Sequence, residues 1–181
     1  GTIKGASHLY AGQEAVAVGS VAAIDEHDVI ASTHRGHGHC GAIGNKHAKD
    51  EKARQEHWNK MMAELMGKAT GYCKGRGGSM HIADVQKGNL GSTGIVGGNI
   101  PVATGAAIAE KLKGSGAVTL CYFGDGATNT GSFHESLNMG AALLNGLPVV
   151  YICENNLYGM SVPFNQKTIE AAGQASNITD I

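Results

Sequence analysis

Two short apolar runs, residues 118–123 and 149–153, set the tightest limit on how this chain folds. Both are rich in β-branched and aromatic side chains, the pattern of buried strands. Residues 133–144, between them, read as a helix. A strand, a crossover helix and a second strand form a βαβ unit, whose parallel strands end on the same edge of the sheet. Each run is followed at once by polar residues: Gly124-Asp125-Gly126 after the first, Glu154-Asn155-Asn156 after the second. Ligands of open α/β sheets collect at that carboxyl edge. Asp125 and Asn156 are therefore expected close together in space, although about thirty positions separate them.

The remaining chain supports an α/β fold, a mostly parallel sheet flanked by helices. Residues 8–24 carry Leu9, Val16, Val18, Val21 and Ile24 with few charges and read as a largely buried helix. Residues 29–32 form a strand candidate. The donor-rich stretch 33–40, Thr-His-Arg-Gly-His-Gly-His-Cys, is loosened by glycine. A polar segment, 46–56, runs into Trp58, Met61, Met62, Leu65 and Met66, the stripe of an amphipathic helix, read as core packing. Residues 70–79 and 88–99, dense in glycine, read as loops. Pro101 suits the first turn of a helix over 101–112, and Lys113-Gly-Ser-Gly116 closes it. Another helix is expected over 167–176.

At 181 residues the chain can build a sizeable core, and we read 1–181 as one domain. With 14 Lys and Arg against 15 Asp and Glu, nothing favours a nucleic acid or a membrane surface as partner. No apolar run approaches the roughly 18 residues a membrane span needs, and no signal-peptide pattern is present. Cys40, Cys73, Cys121 and Cys153 form no CxxC pair, and two fall in the expected buried strands. They read as reduced thiols of an intracellular protein, cytoplasmic if bacterial. The 28 glycines lack a three-residue period and suggest close approaches of backbone to a ligand. The chain opens on Gly1 and stops in a helix-like pattern near Ile181, so it reads as a piece of a longer polypeptide.

Chemistry concentrates at the two polar turns. Backbone N–H groups of Gly126 and Ala127, between a strand end and a helix, can hold phosphate oxygens. Asp125 and an asparagine oxygen are hard ligands suited to Mg²⁺ shared with phosphate. The spacing of Gly126 and Gly131 imitates a P-loop, but Ser132-Phe133 stands where Lys-Ser/Thr is required. No G-x-G-x-x-G follows the strand, which excludes the dinucleotide fingerprint. Gly-Asp-Gly alone is equally an ordinary turn; Asn-Asn after the next strand favours the ligand reading.

GDG followed by NN resembles the thiamine-diphosphate motif. HLYAGQEAVAVG, STHRGHGHC, MMAELMGKATGYCKGRGGSMHIAD, GSTGIVGGNIPVATGAAIA and GDGATNTGSFHESLNMG together resemble the α subunit of the E1 component of 2-oxo acid dehydrogenase complexes. STHRGHGHC and SMHIAD look most like its acetoin dehydrogenase branch. The resemblance implies thiamine diphosphate and Mg²⁺ as cofactors. Asp125, Asn156 and the backbone carbonyl of Tyr158 would bind the metal. His34, Arg35 and the Gly126 and Ala127 amides would hold the diphosphate. Gly94 and Val96 would meet the aminopyrimidine end, and His8 would stand near the substrate. The implied reaction cleaves acetoin or a 2-oxo acid such as pyruvate and passes the acyl unit to a lipoyl group. The implied partners are an E1 β subunit, as α₂β₂, and a lipoyl-bearing E2. In the family the activating glutamate belongs to the β chain, so no catalytic acid or base is assigned here and the α chain alone is expected to be inactive. A catalytically inert fragment or paralogue of that fold, or a thiamine enzyme of the transketolase kind, remains the alternative; HRGHGH and GIVGG favour the E1 α reading over the latter.

Two segments depart from the family pattern. Residues 127–154 put 28 positions between GDG and NN, so either the loop before Pro148 absorbs the excess or the second strand shifts. NKHAKDEKARQEH is long for its place and either extends the amphipathic helix or lengthens its loop. Three other features carry bland readings. His37, His39 and Cys40 fit no zinc spacing. His81 reads as a loop histidine, and Glu135 as a carboxylate near a helix N-terminus.

Overall fold

The computed structural model describes residue 3 and residues 5–164. The expected helix over 167–176 lies outside the described residues. Along the chain run α1 (Glu14–Ala23), β1 (Val29–Ser32), α2 (His37–Lys46), α3 (Glu51–Leu65), β2 (Asn89–Ser92), α4 (Asn99–Lys113), β3 (Thr119–Gly124), α5 (Gly131–Ala142) and β4 (Val149–Glu154). A two-residue hairpin, β5 (Tyr158–Gly159) with β6 (Val162–Pro163), follows.

The four longer strands form one parallel sheet in the order β2-β1-β3-β4. Side chains alternate across a pleated strand, so each strand feeds two faces. On β3, Cys121 and Phe123 join Ala31, Ile100, Ala103 and Ala127 on the face covered by α4. Leu120 and Tyr122 point the other way, against Val21, Ile30 and Ile43 beneath α1 and α2. A smaller cluster of Cys40, Met61 and Ile82 joins α2 and α3 to the segment before β2. Among the described residues no helix is long and apolar enough to cross a membrane.

The βαβ unit forms as expected, with β3 and β4 adjacent and parallel. β3 is buried from Thr119 to Phe123, but β4 lies at the sheet edge among the described residues, with Val150 and Cys153 exposed, so burial of the second run is corrected. The length between GDG and NN is absorbed before Pro148. There α5 ends, Leu144 and Asn145 adopt positive φ, and β4 starts at Val149 in register with Thr119. The polar insertion mostly extends a helix: α3 opens at Glu51, with the Asp50 carboxylate accepting from the Ala53 N–H at 2.7 Å as N-cap. α4 ends at Gly114, in the left-handed conformation at φ 64°.

Other expectations need correction. The first helix begins at Glu14 rather than His8 and buries only Ala17 and Val21. Of the methionine stripe only Met61 is buried; Trp58, Met62 and Met66 are exposed. The stretch 88–99 contains β2, and the glycine-rich segment after Arg35 enters α2.

Candidate functional site

All four sheet strands deliver their carboxyl ends to one cavity of about 500 Å³. Thr33, His34 and Arg35 arrive from β1, and Gly94, Ile95 and Val96 from the turn after β2. Asp125, Gly126 and Ala127 follow β3, and Glu154, Asn156 and Tyr158 close the wall from β4 and β5. His8 enters from the N-terminal arm. The cavity therefore brings together all ten residues expected from the sequence.

The pairing of β3 with β4 explains this convergence. Gly124 lies opposite Glu154, so the residues that follow leave the sheet side by side. Asp125 is buried at 1 % exposure and starts a 3₁₀ turn, Asp125–Asn129. Gly126 and Ala127 occupy the first positions of that turn, where N–H groups lack partners within it and suit an anion. Beyond β4, the Asn155 side-chain oxygen accepts from the Leu157 N–H at 2.9 Å and that of Asn156 from the Tyr158 N–H at 3.1 Å. These Asx turns fold the backbone back and bring Tyr158 to the cavity. An amide oxygen has two acceptor positions, so the Asn156 oxygen keeps capacity for a second partner.

On the opposite wall, Arg35 donates through Nη1 to the Leu9 carbonyl, tying the N-terminal arm to the end of β1. The rings of His8 and His34 meet edge to face, 4.7 Å between centroids. Burial, then the proximity of His8 and Arg35, lowers the His34 pKa, with Glu154 opposing. His34 is thus held neutral near pH 7, leaving Arg35 as the fixed cation on this wall.

The cavity floor holds a cluster that sequence reasoning missed. Tyr10 Oη donates to Glu154 Oε1. His39 Nε2 lies 3.1 Å from the same oxygen and 3.2 Å from Tyr10 Oη. His39 Nδ1 stands 2.7 Å from Ser32 Oγ, and its ring lies on that of Tyr122 at 3.8 Å. Nε2 thus faces Glu154 and Tyr10 while Nδ1 faces Ser32, so both ring nitrogens have polar partners. The available signal was a glutamate ending an apolar strand; Tyr10 and His39 carried none.

The three residues weighed as a metal cluster go separate ways. His37 Nε2 accepts from the Tyr10 N–H at 3.2 Å, His39 belongs to the floor, and Cys40 is buried against Met61 and Ile82. Among the described residues no group of three or more His, Cys, Asp or Glu side chains could hold a metal. The donors at the β3 and β4 ends are of another kind: one carboxylate, one amide oxygen and one backbone carbonyl. That all-oxygen set fits a hard cation completed by phosphate oxygens and water. His81 is exposed in the turn before β2 and its N–H donates to the Gly77 carbonyl at 3.2 Å.

Residues 1–178 match the family model described as "Dehydrogenase E1 component". The chain belongs to the dehydrogenase E1 component family. It is 52 % identical over 180 residues to the α subunit of acetoin:2,6-dichlorophenolindophenol oxidoreductase of Bacillus subtilis (strain 168), covering 99 % of this chain and 49 % of that protein. The subunit of the same name from Cupriavidus necator is 50 % identical over 161 residues, 89 % of this chain and 44 % of that protein. The pyruvate dehydrogenase E1 component subunit α of Rhizobium meliloti is 44 % identical over 170 residues, 94 % of this chain and 45 % of that protein. The chain spans about half the length of the curated relatives it matches. Membership of the E1 family accords with the parallel α/β sheet.

Proposed function

We propose that this chain is the cofactor-binding part of an E1 α subunit and that its cavity holds thiamine diphosphate with Mg²⁺. One observation carries the reading: Asp125, Asn156 and Arg35, on three different strand ends, line the same cavity. The Asp125 carboxylate, the Asn156 amide oxygen and the Tyr158 carbonyl would hold the metal. Arg35, the Gly126 and Ala127 amides and His34 would meet the diphosphate, since a guanidinium offers a fixed fork of donors to phosphate oxygens. Gly94 and Val96 would face the aminopyrimidine end, and His8 the substrate. When bound, the cofactor supplies the nucleophilic carbon that C–C cleavage needs. The chain's own part is to fix the diphosphate, neutralise its charge and exclude water.

The substrate is acetoin or a 2-oxo acid, with the relatives from Bacillus subtilis and Cupriavidus necator favouring acetoin. An E1 β subunit completes the enzyme, and a lipoyl group on an E2 partner accepts the acyl unit. The test is a calorimetric titration of the full-length protein with thiamine diphosphate, with and without Mg²⁺. Saturable binding that requires the metal supports the reading; no heat at millimolar cofactor overturns it.

A further inference from the structure

A second buried polar cluster lies outside the cavity. Glu64, in the last turn of α3, is fully buried. Its Oε2 accepts from the N–H groups of Cys73 at 2.7 Å and Gly75 at 2.9 Å. Its Oε1 accepts from Gly77 at 2.7 Å and Gly78 at 3.1 Å. Four backbone donors thus converge on one carboxylate, as they would on a bound anion. A buried carboxylate is costly unless its oxygens are satisfied, and here backbone dipoles take the place of a cation.

The loop is shaped around that group. A Cβ on Gly71 would lie 2.5 Å from both Glu64 Cα and Oε2. Gly75 adopts φ 74°, and its Cβ would come within 2.4 Å of the Gly67 backbone. The loop's own backbone bonds are short-range turns, such as Lys74 N–H to the Gly71 carbonyl and Arg76 N–H to the Cys73 carbonyl. Burial raises the Glu64 pKa, but the N–H groups of Gly75, Cys73, Gly77 and Gly78 outweigh it and hold the carboxyl below its ordinary range.

Immediately after the last donor, the chain enters the cavity wall. Met80 lines the cavity. A Cβ on Gly94 would lie 3.3 Å from His81 Nε2 and 3.8 Å from Met80 Sδ, so both side chains back the turn that carries Gly94 and Val96. We propose that Glu64 is a positioning residue for the candidate site: its carboxylate gathers the 73–78 loop and so holds Met80 and His81 against the Gly94 wall. The inference rests on the reading of the cavity as a thiamine-diphosphate site. Glu64 itself stays outside that cavity and acts through the loop.

Glu64→Gln tests this with little change of shape, because an amide NH₂ must face two of the four donors. Gly71→Ala is the second variant, since its methyl would meet Glu64 Cα and N as well as Oε2 and so pushes the loop off the end of α3 without altering the charge. Val21→Ala, in the core beneath α1, is a control for lost stability. On the full-length protein, hydrogen exchange at the amides of Cys73, Gly75, Gly77 and Gly78 is measured beside affinity for thiamine diphosphate with Mg²⁺. Both loop variants are expected to exchange faster there. They should bind about 10- to 100-fold more weakly, the usual scale when an outer-shell partner of a ligand site is removed. Val21→Ala should lower the melting temperature and bind like wild type. Unchanged affinity in Glu64→Gln, unchanged exchange at the four amides, or an equal affinity loss in Val21→Ala overturns the inference. Failure of the wild type to bind would instead remove the reading of the cavity, and this inference with it.

Discussion

Gly124 lies directly opposite Glu154 in the parallel pairing of β3 and β4. The register matters because one strand continues into Asp125 and the other into Asn155 and Asn156. Neighbouring strands are about 4.8 Å apart, so both turns leave the sheet within reach of a single bound ion. A slip of one residue would send Asp125, now buried, to the other face.

Asp125→Ala is expected to abolish Mg²⁺-dependent binding of thiamine diphosphate, and Asp125→Asn to retain weak affinity. The alanine removes the anionic ligand, while the amide still offers an oxygen. Calorimetry with both variants decides, and equal affinity of wild type and Asp125→Ala would remove Asp125 from the metal site.

Arg35→Lys keeps the charge and loses the fork. A hydrogen bond to a charged group is worth about 1.5–3 kcal/mol, and 1.4 kcal/mol is a factor of about ten in affinity. The lysine variant should therefore bind the cofactor at least about tenfold more weakly. Loss of the donor to the Leu9 carbonyl should also loosen the N-terminal arm, read as faster proteolysis before Tyr10. Unchanged affinity would show that Arg35 serves the arm alone.

The parts of this structure legible from sequence are those where local pattern and tertiary role agree. β1 and β3 are apolar runs bounded by turns, and Arg35, Asp125 and Asn156, each behind a strand end, fell into the cavity. β2 was missed because Asn-Leu-Gly-Ser carries neither alternation nor β-branched residues; a sheet-edge position imposes little on its side chains. α2 was missed because four glycines lie in or beside its first turns, where propensity argues against a helix. Tertiary packing prevails there: a Cβ on Gly44 would meet the His57 ring at 2.0 Å, so glycine lets α3 approach. The floor cluster was illegible for another reason. Tyr10, His39 and Glu154 are separated by up to 144 positions, and only the fold brings them together.

Burial lowers the pKa of His57, with Lys87 adding to the effect and the Gly41 carbonyl and Asp84 opposing it. His34 and His37 are lowered as well, burial again leading. Between the depressed folded value and the unfolded value of about 6.5, the unfolded chain binds protons that the folded chain does not. Stability is therefore complete above about pH 6.5 and falls as pH drops through that value. Thermal melts between pH 8 and pH 5 should show a declining midpoint on the acid side. His57→Gln, remote from the cavity, should flatten that decline. A midpoint that rises on acidification would contradict the assignment.

The last prediction concerns the floor. Tyr10 and Glu154 are 3 % and 5 % exposed, so neither can turn to water if its partner is removed. Tyr10→Phe deletes the hydroxyl and leaves Glu154 Oε1 with His39 alone. Glu154→Leu deletes the acceptor both groups share and leaves the tyrosine hydroxyl and His39 Nε2, 3.2 Å apart, with only each other as partners. An unsatisfied buried polar group costs about 1–3 kcal/mol, so Glu154→Leu should be the more damaging change. In the double variant the hydroxyl no longer needs a partner, and part of the cost disappears. The double-mutant cycle should give a coupling of about 0.5–3 kcal/mol, the range for residues sharing one network. Urea denaturation of wild type, both single variants and the double variant measures it. Strict additivity would mean that the two residues share a space without an energetic link, and Glu154 would then hold its place at the cavity floor through His39 alone.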